Sequence, residues 1–395
     1  MDRRYLVVLG AVITQFMIIG LFFVYSLLIK SLEEEFGWSR TTLSAGASIA
    51  GLMMGIYAIF GGRLSDLFGP RIVLTCSGLI YGLGYASISF ISEPWHLWAI
   101  CGLYLGLGMG THDVVTLGAI ARWFPNRKGL MTGVVKSGTA AGQVILPPTA
   151  AYLIATQGWR EAVVVMGLTA AVLLIVGAQL MRRPPAPATT NAAQPVSGLT
   201  FAEARRTKRF AIMCCVQFLF FAALMTIPLH IAVHGMDLGM TPVTAAGLLS
   251  FLGASSVVGR LAIGMFADRL GGRMAYLLCL APMIAALTLL IFIETHWMIF
   301  AIIILYGAAH GGLFVVVAPT IAELFGTRAH GSIFGVIVFF GTWGGALGPL
   351  LAGQVFDLTG GYDYAFATLA VMMTLALILT RFLPGKASTE AVSPA

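Results

Sequence analysis

An arginine lies deep inside an apolar stretch of the chain, within SSVVGRLAIGMFADRLGGR at residues 255–273. Arg260 precedes Asp268, the first acidic residue after this stretch, by eight residues. A helix would therefore place it about 12 Å from the charged turn, close to the middle of a bilayer. A guanidinium keeps its proton in that setting, and its burial costs at least about 2.5 kcal/mol. The position therefore predicts that Arg260 faces a cavity, a partner or an anionic ligand.

Four more ionisable residues lie inside apolar stretches, namely His112, Asp113, Lys136 and His310. Asp113 and Lys136 lie at similar distances from the charged ends of consecutive stretches, so a helical hairpin would allow them to form an ion pair. Such a pair can be purely structural, because each charge neutralises the other. Alternatively, Asp113 or His112 carries a proton. For His310 the two interpretations are a hydrogen-bonded packing residue and a group in a binding or relay site.

The elements that must position these residues are membrane-spanning helices. Of the 395 residues, 58% are hydrophobic and only 10% are charged, and the mean hydropathy is +0.92. This composition indicates an integral protein of the lipid bilayer, because soluble domains are about half apolar and a quarter charged. Twelve apolar runs are long enough to span a bilayer. They occupy residues 5–29, 42–64, 71–91, 96–122, 129–156, 160–181, 210–233, 243–265, 273–293, 297–324, 331–356 and 362–382.

The basic residues are distributed asymmetrically between the two faces. If the N-terminus is cytoplasmic, eighteen of the 23 Lys and Arg residues lie on the inner side, and only Lys30, Arg40 and Arg160 lie outside. This asymmetry follows the positive-inside rule. It predicts that both termini are cytoplasmic and that the first span is retained, and it accounts for the pI of about 9.3 without a nucleic-acid partner.

The sequence carries no arrangement that is typical of an enzyme. We find no set of nucleophile, base and orienting residue, and no metal-ligand spacing. No cofactor and no metal site are therefore expected. The five cysteines all lie inside apolar runs and are expected to be free thiols: Cys76, Cys101, Cys214, Cys215 and Cys279.

An internal repeat relates the two halves of the chain at an offset of 202 residues. The segment GRLSDLFGPR returns as GMFADRLGGR, and further glycines and a proline recur at the same shift. The repeat predicts two six-helix bundles, at residues 1–181 and 210–395. Between them, residues 182–209 are rich in Pro, Ala and Thr and end in a basic segment, which indicates a cytoplasmic linker. The matched positions are Gly62, Asp66, Gly69 and Arg71 with Gly264, Asp268, Gly271 and Arg273.

Three segments carry a resemblance to a known family. GRLSDLFGPR resembles the loop motif G-x-L-x-D-R-x-G-x-R of the major facilitator superfamily. WFPNRKGLMTGVVKSGTAAG and EFGWSRTTLS are similar to segments of its monocarboxylate transporter and oxalate/formate antiporter branch, with bacterial members the more similar. The resemblance implies the all-α major facilitator fold, with twelve transmembrane helices in two related bundles and a substrate site at midmembrane.

The resemblance also implies roles for particular residues. Arg260 matches the arginine that anchors a carboxylate, whose planar fork accepts a carboxylate through two parallel hydrogen bonds. One cation at this place implies one carboxylate. The repeat counterpart of Arg260 is the uncharged Ala58, so the charge of Arg260 is not part of the repeated pattern. The predicted substrate-binding set is Arg260, Ser256, Phe22, His310 and Phe340, and the predicted proton-coupling set is Asp113, Lys136 and His112.

The loop motifs are expected to control gating on the cytoplasmic side. The predicted gating residues are Asp66, Arg71, Asp268 and Arg273. The alternative is structural, because a carboxylate beside a helix end can cap exposed amides or pair with a nearby arginine.

Two departures from the family pattern narrow the expected substrate. Oxalate/formate antiporters carry a lysine in the eleventh helix, whereas residues 331–356 contain none, so dicarboxylates are disfavoured. Animal monocarboxylate transporters carry an aspartate one turn before the arginine and a lysine midway along the first helix. Ser256 and the apolar residues around Phe22 occupy those places here, so proton coupling by the same arrangement is not expected.

We therefore expect a monomeric symporter of the cytoplasmic membrane that moves a small monocarboxylate, such as L-lactate or pyruvate, with a proton. An antiporter of the oxalate/formate type is the alternative within the class. From another class, a membrane sensor that binds the anion without moving it is a less favoured alternative.

Overall fold

A computed structural model describes residues 3–124, 128–182, 198–293, 295–326 and 328–385. Over these residues the chain folds into α-helices, with an isolated bridge between Gly198 and Gly326. Long helices follow from the composition, because a backbone inside a bilayer must satisfy its hydrogen bonds within its own segment.

In the described part of the chain, seven α-helices precede the predicted linker. A 3₁₀ turn at Ile88–Phe90 extends the third of them, and a π-helical segment at Ile100–Leu105 joins the fourth to the fifth. The helices are α1 (Arg3–Phe36), α2 (Arg40–Phe68), α3 (Pro70–Ser87), α4 (Pro94–Ala99), α5 (Gly106–Trp123), α6 (Lys128–Gln157) and α7 (Trp159–Leu180).

Among the residues that the structure describes, seven α-helices follow the predicted linker, and several have a counterpart of equal length before it. They are α8 (Phe201–Ala204), α9 (Lys208–Asp237), α10 (Pro242–Leu270), α11 (Gly272–Leu289), α12 (His296–Phe325), α13 (His330–Thr359) and α14 (Asp363–Arg381). Helices α2 and α10 each contain 29 residues and begin 202 residues apart, at Arg40 and Pro242. Helices α6 and α13 each contain 30 residues and begin at the same shift.

Ten helices in the described part of the chain are long and apolar enough to cross a membrane. Helix α5, which covers the predicted fourth span only from residue 106 onward, and helix α6, which corresponds to the predicted fifth span, are not among the ten. They carry Asp113 and Lys136 respectively. Charged and small polar residues lower the hydropathy of these two helices, so composition alone marks them less strongly as spans.

The described residues form two compact units. The first consists of the described residues of Met1–Ala186 together with Pro228–Gly253 and Pro349–Leu358. The second consists of those of Pro187–Ile227, Ala254–Gly348 and Thr359–Ala395. The first unit therefore contains the last part of α9, the first part of α10 and the last part of α13 in addition to the helices before the linker.

Glycines allow two pairs of helices to approach closely. A Cβ added to Gly138 would meet the carbonyl oxygen of Val12 at 2.5 Å, so α6 packs directly on α1 in the first unit. In the second unit, a Cβ on Gly344 would meet the backbone of Phe218, so α13 packs in the same way on α9. Small residues at such contacts let helices pack backbone to backbone.

The two loop motifs form turns of a single residue. Gly69 separates α2 from α3 with φ of 90°, and Gly271 separates α10 from α11 with φ of 82°. Residues with a Cβ rarely adopt positive φ, which explains why the motif needs glycine at these two places. Both preceding helices continue past the predicted span ends, so Asp66 and Asp268 lie in their last turns.

The described end of the linker is a short capped helix. Thr200 and Glu203 form a capping box at the start of α8, and the amide of Leu199 donates to the carbonyl oxygen of Phe325 at 2.9 Å. The hydrogen bonds from the Thr200 backbone and hydroxyl hold the pKa of Glu203 below its ordinary value. Residues 183–197 of the predicted linker lie outside the described residues.

Candidate functional site

In the second unit, Arg260 lies on α10 against an aromatic row on α12. Tyr306, His310 and Phe314 follow one another at intervals of four residues, which places them on one face of α12. The guanidinium carbon of Arg260 is 5.4 Å from the centroid of the Phe314 ring. The rings of His310 and Phe314 are 5.1 Å apart and nearly perpendicular.

Helices α10 and α12 touch through their backbones at this level. A Cβ on Gly259 would meet the backbone of Ala308, and one on Gly311 would meet the backbone of Ser256. Ser256 is fully buried there, and its hydroxyl has no hydrogen-bond partner among the described groups. The close contact thus fixes the position of Arg260 relative to the row on α12.

Arg260 is only partly buried. Because a guanidinium in contact with lipid tails is strongly disfavoured, its exposed part must face a polar, solvated space. An arginine in such a place can bind an anion through its planar fork.

In the first unit, Asp113 on α5 accepts hydrogen bonds from the side chains of Lys136 and Gln15. Lys136 Nζ on α6 donates to its two oxygens at 2.6 and 2.8 Å, and Gln15 Nε2 on α1 donates at 2.7 Å. His112 Nε2 lies 3.4 Å from the same carboxylate. The structure therefore brings the three predicted proton-coupling residues together.

Sequence reasoning missed Gln15 and Thr116. Gln15 Nε2 also donates to Thr116 Oγ1 at 3.1 Å, so it bridges α1 and α5. A glutamine inside the otherwise apolar first span was a signal that a search restricted to ionisable residues does not detect. The side chains of Asp113 and Lys136 are 41% and 28% exposed, which inside a span requires a polar space beside them.

The two predicted aromatic substrate residues lie in different units. Phe22, in the first unit, packs edge-on against Phe23 and lines an apolar cavity together with Tyr25 and Met109. Phe340, in the second unit, is 43% exposed on α13 and packs edge-on against Phe339.

The structure describes the side chains of two of the four predicted gating residues, the arginines. Arg71 Nε donates to Gln179 Oε1 on α7 at 2.5 Å, and Arg273 is partly buried at the start of α11. The amide of Gly272 beside it donates to Glu323 Oε2 at 2.7 Å, so a carboxylate from α12 caps α11. The side chains of Asp66 and Asp268 lie outside the described part of the chain.

The chain matches a family model and curated relatives. The model of the Major Facilitator Superfamily matches residues 11–269 and 237–394. Monocarboxylate transporter 13 of Rattus norvegicus is 28% identical over 357 residues, which cover 88% of this chain and 79% of the relative. Monocarboxylate transporter 11 of Homo sapiens is 26% identical over 361 residues, which cover 88% of this chain and 76% of the relative. The uncharacterized MFS-type transporter YhjX of Escherichia coli (strain K12) is 24% identical over 330 residues, with 82% and 81% covered.

Solved structures share the fold at low sequence identity. A bacterial homolog of the human lysosomal transporter Spinster, in an inward-facing and unoccupied conformation, superimposes with a TM-score of 0.77 at 13% identity, and both chains are fully covered. A mutant of the nucleoside transporter NupG gives 0.75 at 15% identity, with 98% of this chain and 99% of that chain covered. Together with the family match, these likenesses show that the chain belongs to the major facilitator superfamily, with relatives in its monocarboxylate transporter branch.

Proposed function

We propose that this protein is a secondary transporter that moves a small monocarboxylate, such as L-lactate or pyruvate, with a proton across the cytoplasmic membrane by alternating access. The observation that carries the proposal is Arg260, a partly buried arginine within the apolar helix α10 that contacts the aromatic row of α12. A single cation of this kind suits a substrate with one carboxylate.

The relatives and the helix bounds support this choice. Monocarboxylate transporters are among the relatives that cover most of the chain. The recurrence of helix lengths at a shift of 202 residues favours twelve spans in two related bundles, although α5 and α6 are less apolar than the other spans. The asymmetry of basic residues favours cytoplasmic termini.

The hydrogen bonds of Asp113 support a role in proton coupling. The Lys136 and Gln15 donors stabilise its ionised form, so a change in the position of either would favour proton uptake. A pair that stays closed throughout would instead be structural. Co-transport of a proton removes the electrical cost of moving the anion, which is about 2.3 kcal/mol per charge for each 100 mV.

Uptake by the purified protein in liposomes tests the proposal. Labelled lactate should accumulate when the outside is acidified and should equilibrate without accumulation when the pH is equal on both sides. Uptake that requires a carboxylate inside the vesicles would show an antiporter. Binding of lactate without any uptake would show a sensor.

A further inference from the structure

A buried arginine joins three segments of the first unit. Arg40, the first residue of α2, is 1% exposed. Its guanidinium donates to Asp237, the last residue of α9, at 2.5 and 2.7 Å, and to Glu33 near the end of α1 at 3.0 Å. The guanidinium carbon also lies 3.6 Å from the centroid of the Phe356 ring on α13. The edge of this guanidinium is thus bonded to carboxylates, and its face is covered by an aromatic ring.

A third carboxylate, which α13 supplies, caps the start of α2. Asp357 accepts the amide of Arg40 at 2.9 Å and the amide and hydroxyl of Thr41 at 2.8 and 2.6 Å. The first amides of a helix have no partner within the helix and carry partial positive charge, so a carboxylate there is stabilising. Helix α2 is therefore capped by Asp357 of α13 in addition to its own Ser39, whose hydroxyl accepts the amide of Thr42 at 3.2 Å.

The backbones of α2 and α13 touch one turn further along. A Cβ added to Gly353 would meet the carbonyl oxygen of Arg40 and the hydroxyl of Ser44, each at 2.8 Å. Ser44 is fully buried and lies 3.3 Å from His230 Nε2 on α9. Helices α2 and α13 therefore pack tightly, without exposed side chains at Ser44, directly beneath the charged residues.

In the first predicted half, the carboxylate at the position that corresponds to Asp237 has different hydrogen-bond partners. Glu35 precedes Asp237 by 202 residues, so the two occupy equivalent positions in the predicted repeat. Glu35 pairs with Arg160 and accepts the Trp159 indole N–H at 2.5 Å, both within residues 3–182. Asp237 instead bonds to Arg40, which belongs to the other half of the repeat. The Arg40 cluster is therefore not a shared feature of the two bundles.

We propose that Glu33, Arg40, Asp237 and Asp357 form an outer latch that holds closed the end of the protein predicted to face outside. The inference rests on the proposed function, because alternating access moves the two predicted halves relative to each other. Both halves supply residues to the latch, so movement that opens this end must break it. Arg40 is the buried member of this ion-pair network, and Lys30 lies 3.2 Å from Asp237 and 3.7 Å from Glu33 at its more exposed side. A network that is either formed or broken suits an element with two discrete positions.

A thiol placed beneath the latch reports whether it is closed. The reporter is Ser44→Cys in the full chain, reconstituted in nanodiscs and labelled with a maleimide, with each labelled peptide quantified by mass spectrometry. Arg40→Ala should raise the labelling rate of the reporter at least about tenfold, which corresponds to about 1.4 kcal/mol. Arg160→Ala is the matched control, because it removes an arginine from a carboxylate pair outside the latch, and it should leave the rate unchanged. The buried native thiol of Cys101 must stay unlabelled in every variant, which shows that the fold is intact.

A second variant opens the latch without changing a charge. Gly353→Val should also raise the labelling rate, since its side chain would push α2 and α13 apart. Gly361→Ala is its control, because a Cβ there meets nothing within 4 Å. Unchanged labelling in both Arg40→Ala and Gly353→Val, with Cys101 protected, would overturn the latch. Labelling does not depend on lactate transport, so raised labelling in a protein that fails to take up lactate would overturn the proposed function and leave the latch standing.

Discussion

At the scale of single residues, the two charged sites inside the membrane are satisfied in different ways. Asp113 accepts hydrogen bonds from Lys136 and Gln15, which neutralise and solvate its charge. Arg260 lies against the ring of Phe314, and an aromatic face attracts a cation in this position. Under the proposed function, the first group takes up a proton when its pair with Lys136 opens, and the second group binds the anion.

Arg260→Ala should weaken lactate binding by at least about tenfold, because hydrogen bonds to a charged group contribute about 1.5–3 kcal/mol each. The Arg260→Lys variant should bind lactate little better than Arg260→Ala, since an ammonium lacks the planar fork. Isothermal titration of the purified variants measures the effect. Arg381→Ala removes an exposed arginine at the end of α14 and serves as the control. Binding by the Arg260→Ala variant near that of the control would refute the site assignment.

Asp113→Asn should retain exchange of lactate across the membrane and lose accumulation driven by an inward proton gradient. The amide cannot ionise, so the variant binds the anion but cannot carry a proton with it. Both quantities are measured in the same liposomes, with Asp363→Asn at the exposed start of α14 as the control. If the Asp113→Asn vesicles still concentrate lactate, the pair with Lys136 is structural, and His112 or His310 becomes the candidate proton carrier.

At the scale of elements, the site depends on how closely α10 and α12 approach. Gly311 brings the two backbones into contact at Ser256, and Gly259 brings them into contact at Ala308. That contact sets the distance between Arg260 and the aromatic row. The glycines are therefore part of the site although they carry no chemistry of their own.

Gly311→Ala should destabilise the protein by about 1–3 kcal/mol, because an added methyl group must displace the backbone of Ser256. It should also weaken lactate binding, since Arg260 moves with α10. Gly264→Ala, on α10, places its methyl group in open space and should change neither property. Thermal unfolding in detergent and titration with lactate measure the two effects. A Gly311→Ala variant as stable as Gly264→Ala would show that the helices separate without cost.

The sequence predicted the helices more closely than their contacts. The sixth predicted span, 160–181, differs by one residue at each end from Trp159–Leu180. The first span was predicted to end at residue 29, but α1 continues to Phe36, because apolar length marks the bilayer and not the end of a helix. The latch was not predicted. Arg40 lies 197 residues from Asp237, and no local pattern of spacing relates positions so far apart.

At the scale of the whole molecule, the predicted repeat does not extend to the charges inside the spans. The counterpart of Arg260 at the 202-residue shift is Ala58, and the counterpart of Asp113 is Val315. In the predicted repeat, each half therefore carries a different charged group. Under the proposed function, one half binds the anion and the other half takes up the proton.

This division of charge predicts how the protein discriminates between substrates. Oxalate brings a second carboxylate, and residues 331–356, which span most of α13, offer no lysine or arginine to receive it. Desolvation of that second charge without a partner is costly, so oxalate should compete with labelled lactate at least about tenfold less well than pyruvate does. Competition during uptake into liposomes, at equal concentrations of unlabelled anion, measures the ratio. Oxalate that competes as well as pyruvate would show that another cation receives the second carboxylate. Lys136 would be the first to test, because its release from Asp113 would supply that cation.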